Sequence, residues 1–252
     1  MVLNDKTAKA YEQWLKSPIG YYIDARRKKL MLDLLAPIEG ERLLDVGCKT
    51  GNYMLFFRRE GCDVTGLDSS SSMLEMAQNK LGHRADFYEG NPEELPFSDN
   101  EFDIVTLITC LDFTDNFQKA LEEAIRVSQK RVFVGFLNKY SFGAEMNKIK
   151  EIFHVLPHSF SIWEIKRKIK AMLPSVSFRW GSVIFLPFGW YPFATNLEEH
   201  IPFMRNPFGS FMGLTFSVVY TRRTLMDPVD SSLEVGVTGG QHIPGTAREM
   251  KQ

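Results

Sequence analysis

The run Leu43-Leu44-Asp45-Val46-Gly47-Cys48-Lys49-Thr50-Gly51 constrains this chain more than any other stretch. An apolar segment ends in Asp45, a turn with glycines at 47 and 51 follows, and an amphipathic segment begins at Asn52. Buried strand, tight turn and helix in that order open a nucleotide-binding βαβ unit. A second apolar stretch, Val64-Thr65-Gly66-Leu67, ends in Asp68, 21 residues beyond Gly47, where an acid can take the hydroxyls of a ribose. The pattern implies a nucleoside-bearing ligand.

With 252 residues, 44% of them hydrophobic, the chain can bury one substantial core, so a single embellished domain is expected. Thirty basic and 31 acidic residues leave a net charge of −1. Without a basic field, extended nucleic acid is a poor partner. Cys48, Cys62 and Cys110 are widely spaced, without a CxxC pair, and suit a reducing cytoplasm. The five histidines show no metal-ligand spacing. The first residues lack the apolar core of a signal peptide, and no run of about 18 apolar residues exists to span a membrane.

Residues 5–17 and 20–36 read as two helices broken at Ser17-Pro18, the second with a basic patch at 26–29 read as a solvated face. Strands over 43–46, 63–67, 85–89, 102–109 and 131–136 alternate with helices over 51–60, 71–82 and 115–128. That alternation implies a mainly parallel sheet covered on both faces. Helices are expected over 141–156 and over 161–173, the latter opening with Ser161 and Glu164 as a capping box. Strands are expected over 176–186 and 213–221. Between them, 187–212 reads as an aromatic-rich insertion loop, and 227–252 as a poorly packed tail.

Details of the glycine turn discriminate among ligands. Dinucleotide enzymes need a second glycine for close approach of a pyrophosphate and a third for helix packing. Here Lys49 fills the middle position and Asn52-Tyr53-Met54 follows Gly51, while Asp45 would repel phosphate. A cationic or amino-bearing ligand such as S-adenosylmethionine suits the loop better. Residues 43–51, 66–74, 90–97 and 101–108 resemble, in order, the motifs of class I S-adenosylmethionine-dependent methyltransferases. The nearest pattern is the small-molecule branch that includes the ubiquinone and menaquinone C-methyltransferases.

The resemblance implies a Rossmann-like α/β fold with a seven-stranded sheet of order 3-2-1-4-5-7-6, the last strand antiparallel. It implies one domain over 1–226, with residues 1–40 as a helical cap. Cofactor contacts are then expected from Asp45, Gly47, Cys48, Lys49 and Gly51, from Asp68 and Ser69 at the ribose, and from Met73 beside the adenine. Asn91 stands where an acid usually holds the adenine amino group, with Pro92 and Glu93 beside it. Thr109 and Leu111 end the fourth strand, beyond which this fold puts ligands. Each has a plainer reading: turn glycines, a helix cap at Asp68, a turn residue at Asn91. Three departures stand out: Lys49 for glycine, Asn91 for the acid, and Ser128-Gln129-Lys130-Arg131 in place of a Pro-Gly-Gly turn.

Methyl transfer from a sulfonium is an in-line displacement whose main demands are alignment and exclusion of water. Asp112, just past the fourth strand, is the candidate base, or else a helix cap or cofactor contact. Tyr11, Trp14, Tyr21 and Tyr22 of the cap, with Trp190 and Tyr191 of the insertion, are candidates for a substrate pocket. The alternatives for the insertion's aromatics are a dimer face or a peripheral membrane contact. The expected function is methylation of a small, apolar or aromatic molecule by a monomer or homodimer. The competing one is a catalytically inactive module that binds S-adenosylmethionine or S-adenosylhomocysteine. An RNA or protein methyltransferase would need an Asn/Asp-Pro-Pro-Tyr type of motif, where this chain has Thr109-Cys110-Leu111-Asp112.

Overall fold

The computed structural model describes residues 5–141, 148, 151–154 and 157–218. The chain opens with α1 (Asp5–Lys16) and α2 (Pro18–Leu35). Ser17 separates them: its hydroxyl donates to the Trp14 carbonyl, ending α1, and accepts from Gly20 N–H, capping α2, with Pro18 in the first turn. The alternating part follows as β1 (Arg42–Val46), α3 (Asn52–Arg59), β2 (Asp63–Asp68), α4 (Ser71–Leu81), β3 (Asp86–Glu89), β4 (Phe102–Ile108), α5 (Phe117–Val127) and β5 (Ser128–Leu137). Ser70 caps α4 and Asn116 caps α5 through their side-chain oxygens. The remaining elements are α6 (Ile162–Met172), β6 (Phe178–Val183), α7 (Tyr191–His200) and β7 (Phe211–Ser217). The Ser161–Glu164 capping box expected from the sequence opens α6.

The seven strands form one sheet in the order β3-β2-β1-β4-β5-β7-β6, as the resemblance implied. Pairing is parallel from β3 to β5, and β7 runs antiparallel to both β5 and β6. Period-two alternation divides the strand side chains between two cores. Leu43, Ile104, Phe133 and Phe211 face α1–α4, whereas Leu44, Val105, Val132, Val134 and Leu214 face α5 and α6. At Gly213 a Cβ would meet Leu30, Leu34 and Phe133 at about 3.0–3.1 Å, so the missing side chain lets α2 lie close on the sheet.

Four expectations change. The helix expected to 128 ends at Val127 and β5 starts at Ser128 instead of 131. No turn intervenes: the Ser128 hydroxyl donates to Arg131 O as the chain passes directly into the strand. The basic patch is a solvated face only in part: Lys29 is exposed and Lys28 half-buried, but Arg26 and Arg27 are buried. Arg26 donates to Glu198 O, and Arg27 lies over the Phe211 ring and reaches the Tyr53 hydroxyl. The 187–212 loop contains a helix, α7, with Pro192 in its first turn. Finally, β6 is shorter than 176–186, and β7 begins at Phe211, earlier than expected. The helix expected over 141–156 falls mostly outside the described residues, as do the end of the strand expected over 213–221 and the whole 227–252 tail. One compact unit spans Met1–Val219, and residues 220–252 lie outside the described residues.

Glu198 holds α7 in place. Its fully buried carboxylate accepts from Ile184 N–H at 2.7 Å, from Phe185 N–H at 2.9 Å and from the Tyr191 hydroxyl at 3.2 Å. Ile184 has φ of 70°, a costly left-handed conformation for a β-branched residue that only over-determined surroundings sustain. Glu198→Ala leaves two buried N–H groups unpaired and should cost about 2–4 kcal/mol in urea denaturation. Glu198→Gln, which keeps an acceptor oxygen, should cost less than half of that.

Candidate functional site

The site grows from the loop between β1 and α3. Gly47 has φ of 73°, and a Cβ there would meet Cys110 at 3.0 Å, so only glycine both turns the chain and clears the end of β4. Gly47 N–H and Cys48 N–H both donate to Leu67 O, fastening the loop to β2. Asp68, the last residue of β2, completes the attachment. One carboxylate oxygen accepts from Lys49 N–H at 2.8 Å and the other from Ser70 N–H at 2.9 Å. Burial pushes its pKa up, while these N–H groups and the Lys49 charge pull against that rise.

A cleft opens over this loop at the carboxyl ends of β1, β2 and β4. It encloses about 530 Å³, counting the solvent at its mouth. Of the expected cofactor residues, Gly47, Lys49, Asp68, Ser69, Pro92 and Thr109 line it. Cys110, Phe113, Thr114 and Phe153 line it too, and sequence reasoning missed all four. Two of these follow from local geometry. Residues Leu111–Phe113 form a 3₁₀ turn, in which positions three apart eclipse, so Cys110 and Phe113 share the side facing the cleft. The same rotation buries Leu111 and Asp112. Phe153 has no local signal, since only tertiary packing brings it to Phe113, at 5.2 Å between ring centroids.

The remaining expected contacts are absent from the lining. Cys48 and Met73 are buried in the core, and Gly51 precedes α3 packed against Ala77 and Leu81. Asn91 is exposed, its side-chain oxygen accepting from Glu93 N–H, a turn role. Glu93 accepts from Asn116 N–H at the start of α5. Asp45 sits beneath the loop, accepting from the Thr106 hydroxyl at 2.8 Å across the β1–β4 pair. Its other oxygen is buried without a hydrogen-bond partner, and burial raises its pKa to about 7.

Asp112 shares that condition. One oxygen accepts from Leu137 N–H at 3.1 Å, the other has no hydrogen-bond partner, and burial raises its pKa to about 7. Its backbone carbonyl accepts from His158 N–H. Asp112 therefore ties the 3₁₀ turn to the end of β5 and is absent from the cleft lining. Burial also raises the Cys110 pKa to about 12, which keeps it a thiol.

Lys49 has φ of 51°, and its side chain is buried along the cleft wall. Its ammonium donates to the Thr109 hydroxyl at 2.7 Å, to Ile108 O at 3.2 Å and to Thr109 O at 3.4 Å, with the Phe113 ring 5.9 Å away.

Among the cap residues, Tyr11 and Trp14 pack together, and Tyr11 touches Phe153, which continues to Phe113 at the cleft. Glu12 accepts from the Thr50 hydroxyl and from Lys80 at 2.8 Å, fastening α1 to both the glycine loop and α4. Tyr22 packs its ring, tilted, against Tyr191 and donates to Thr195 O, joining α2 to α7. Tyr21 and Trp190 point to solvent, 71% and 55% exposed. None of the six expected substrate-pocket residues, Tyr11, Trp14, Tyr21, Tyr22, Trp190 and Tyr191, lines the cleft, because they pack against other elements or face solvent.

Residues 44–134 match the family model described as a methyltransferase domain. Curated relatives include a demethylmenaquinone methyltransferase of Thermotoga maritima, 30% identical over 133 residues, or 52% of this chain and 57% of the relative. Another, of Renibacterium salmoninarum, is 36% identical over 104 residues, or 41% of this chain and 44% of the relative. The chain thus spans about half the length of the curated relatives it matches. Among solved structures, a methyltransferase of Thermotoga maritima titled a possible histamine N-methyltransferase superposes with a TM-score of 0.68 at 22% identity. The match covers 85% of this chain and 97% of that one. Magnesium protoporphyrin IX methyltransferase of Synechocystis, with bound S-adenosylhomocysteine, gives 0.60 at 16% identity, covering 84% and 94%. These structures share the fold. Among the described residues no helix is long and apolar enough to cross a membrane.

Asp45 gives the site a pH signature. An acid whose folded pKa lies near 7 and whose unfolded pKa lies near 4 favours the folded state below pH 4 and loses that advantage as pH rises to 7. Asp45→Asn should remove on the order of 2–4 kcal/mol of the stability that the wild type loses between pH 4 and pH 8. Chemical denaturation across that range checks it.

Proposed function

We propose that this chain, which carries a class I S-adenosylmethionine-dependent methyltransferase domain, transfers a methyl group to a small, apolar or aromatic acceptor. One observation carries the reading. Asp68 lies between the glycine loop and the start of α4, facing a cleft at the carboxyl ends of the strands, where open α/β sheets take ligands. The Asp68 carboxylate accepts from the backbone N–H groups of Lys49, Ser69 and Ser70 and, with about four acceptor sites, keeps capacity for a ribose hydroxyl. Ser69, Pro92 and the rings of Phe113 and Phe153 supply the mixed polar and apolar wall a nucleoside needs. The nucleoside half of S-adenosylmethionine therefore fits; its amino-acid half meets Lys49.

When bound, the cofactor supplies a methyl group on a cationic sulfur, which leaves as a neutral thioether once the acceptor has attacked the carbon. The work left to the chain is alignment and exclusion of water. The Tyr11–Phe153–Phe113 ring series and the Glu12 tie to Thr50 close α1 over the glycine loop, which supports the second task. Asp112, turned inward and bonded to Leu137, is read as a positioning residue for the turn that carries Cys110 and Phe113. With the Cys110 thiol held protonated, the lining favours an acceptor that needs no strong base, such as an enolate or phenolate carbon or oxygen. The three buried, free cysteines support a cytoplasmic assignment.

Lys49 favours a second reading, a binding module without turnover, and methylation of any acceptor would exclude it. S-adenosylhomocysteine should bind with a micromolar Kd by calorimetry, and NADH, with its pyrophosphate, should give no heat at the same concentrations. Asp68→Asn should weaken S-adenosylhomocysteine by about tenfold or more, since a ribose bond to a charged acceptor is lost. Equal binding of NADH, or unchanged binding in the variant, would overturn the assignment.

A further inference from the structure

The contact that departs most from what the cleft needs is the one made by Lys49. Three oxygens converge at the end of β4, namely Ile108 O, Thr109 O and the Thr109 hydroxyl, with the Phe113 ring beside them. Three acceptors and an aromatic face suit a cation with three N–H donors. Lys49 and Thr109 both line the cleft, so this cradle opens onto the space where a ligand would lie. Both partners are also held in left-handed backbone, Lys49 at φ of 51° and Thr109, a β-branched residue, at φ of 51°. Conformations of that kind persist only where the surroundings hold them, and they cluster at active sites and ligand clamps.

We propose that Lys49 is a built-in competitor that occupies an ammonium subsite of the cleft. A ligand carrying an α-ammonium binds fully only by displacing the lysine, whereas a nucleoside lacking that group binds beside it. The inference rests on the reading of the cleft as a site for S-adenosylmethionine and its product. It assigns Lys49 a regulatory role there: it lowers affinity for the amino-acid half of the ligand far more than for the nucleoside half, which it reaches only through its charge near Asp68. The competition is electrostatic and local. Two ammonium groups cannot share three oxygens, and each excludes the other at a few ångströms.

The test is calorimetric titration of the full chain with S-adenosylhomocysteine, which has the α-ammonium, and with 5′-methylthioadenosine, which lacks the amino-acid tail. Wild type is compared with Lys49→Met, which removes the charge, and Lys49→Gly, which also tolerates φ of 51° should the methionine variant fold poorly. The expected result is S-adenosylhomocysteine tightened about tenfold or more in both variants, with 5′-methylthioadenosine changed less than about threefold. Weaker S-adenosylhomocysteine binding in both variants would overturn the proposal and make Lys49 an anchor for the ligand carboxylate. An equal change for both ligands would also overturn it, as an effect of loop shape. If neither ligand binds any of the three proteins, the cofactor reading fails and this inference falls with it. Binding of both ligands with no change in the variants defeats this inference alone.

Discussion

The Asp68 carboxylate is the interaction on which the arrangement depends. It stands at the end of β2 and takes the N–H of Lys49 from one segment and the N–H of Ser70 from another. Charge-assisted bonds of this kind are roughly twice as strong as neutral ones and fix direction as well as distance. With Gly47 and Cys48 both bonded to Leu67 O, they clamp the glycine loop to β2. The start of α4 is positioned by the same side chain. A group that organises the site is thereby also the group that faces the ligand, and its acceptor capacity exceeds what the backbone uses.

Around that clamp lies a cluster of carboxyls that the protein buries at a cost. Asp45 and Asp112 each satisfy one oxygen through a neighbouring strand and leave the other without a hydrogen bond. Their pKa values near 7 record that cost, since desolvation opposes the charged form. Lys49 is the cation common to both environments and to Asp68, and it lowers all three. A lysine where the related motif has glycine thus changes the electrostatics of the whole β1, β2 and β4 end as well as the shape of the loop.

The architecture was legible in the sequence because the apolar runs are short, well separated and punctuated by capping residues. Ser17-Pro18, Ser70, Asn116 and the Ser161–Glu164 pair sit where local hydrogen bonding ends or begins a helix, and such signals do not depend on distant packing. Six of the ten lining residues were legible for a similar reason, as Gly47, Lys49, Asp68, Ser69, Pro92 and Thr109 lie at or just past strand ends. The misreadings share a cause. Arg26 and Arg27 look like a solvated patch until Phe211, Tyr53 and Glu198 come to meet them from elsewhere in the chain. The 187–212 stretch looks like a loop because the partners of the carboxylate that fixes its helix, Ile184 and Phe185, lie before that stretch begins.

The sequence by itself determined the glycine turn and the acid at the end of the second strand, because each is written in residues close together in the chain, whereas the strand order came from the resemblance those motifs carry. Only the tertiary structure decided which side chains face the ligand. The 3₁₀ turn after β4 sends Phe113 outward and Asp112 inward, and packing delivers Phe153 to the cleft from forty residues away in the chain. It also decided that the Lys49 ammonium lies on the oxygens of Ile108 and Thr109, sixty residues distant. The physical reason is range: backbone turns and caps are settled within a few residues, whereas desolvation and ion placement depend on every element that closes over a site.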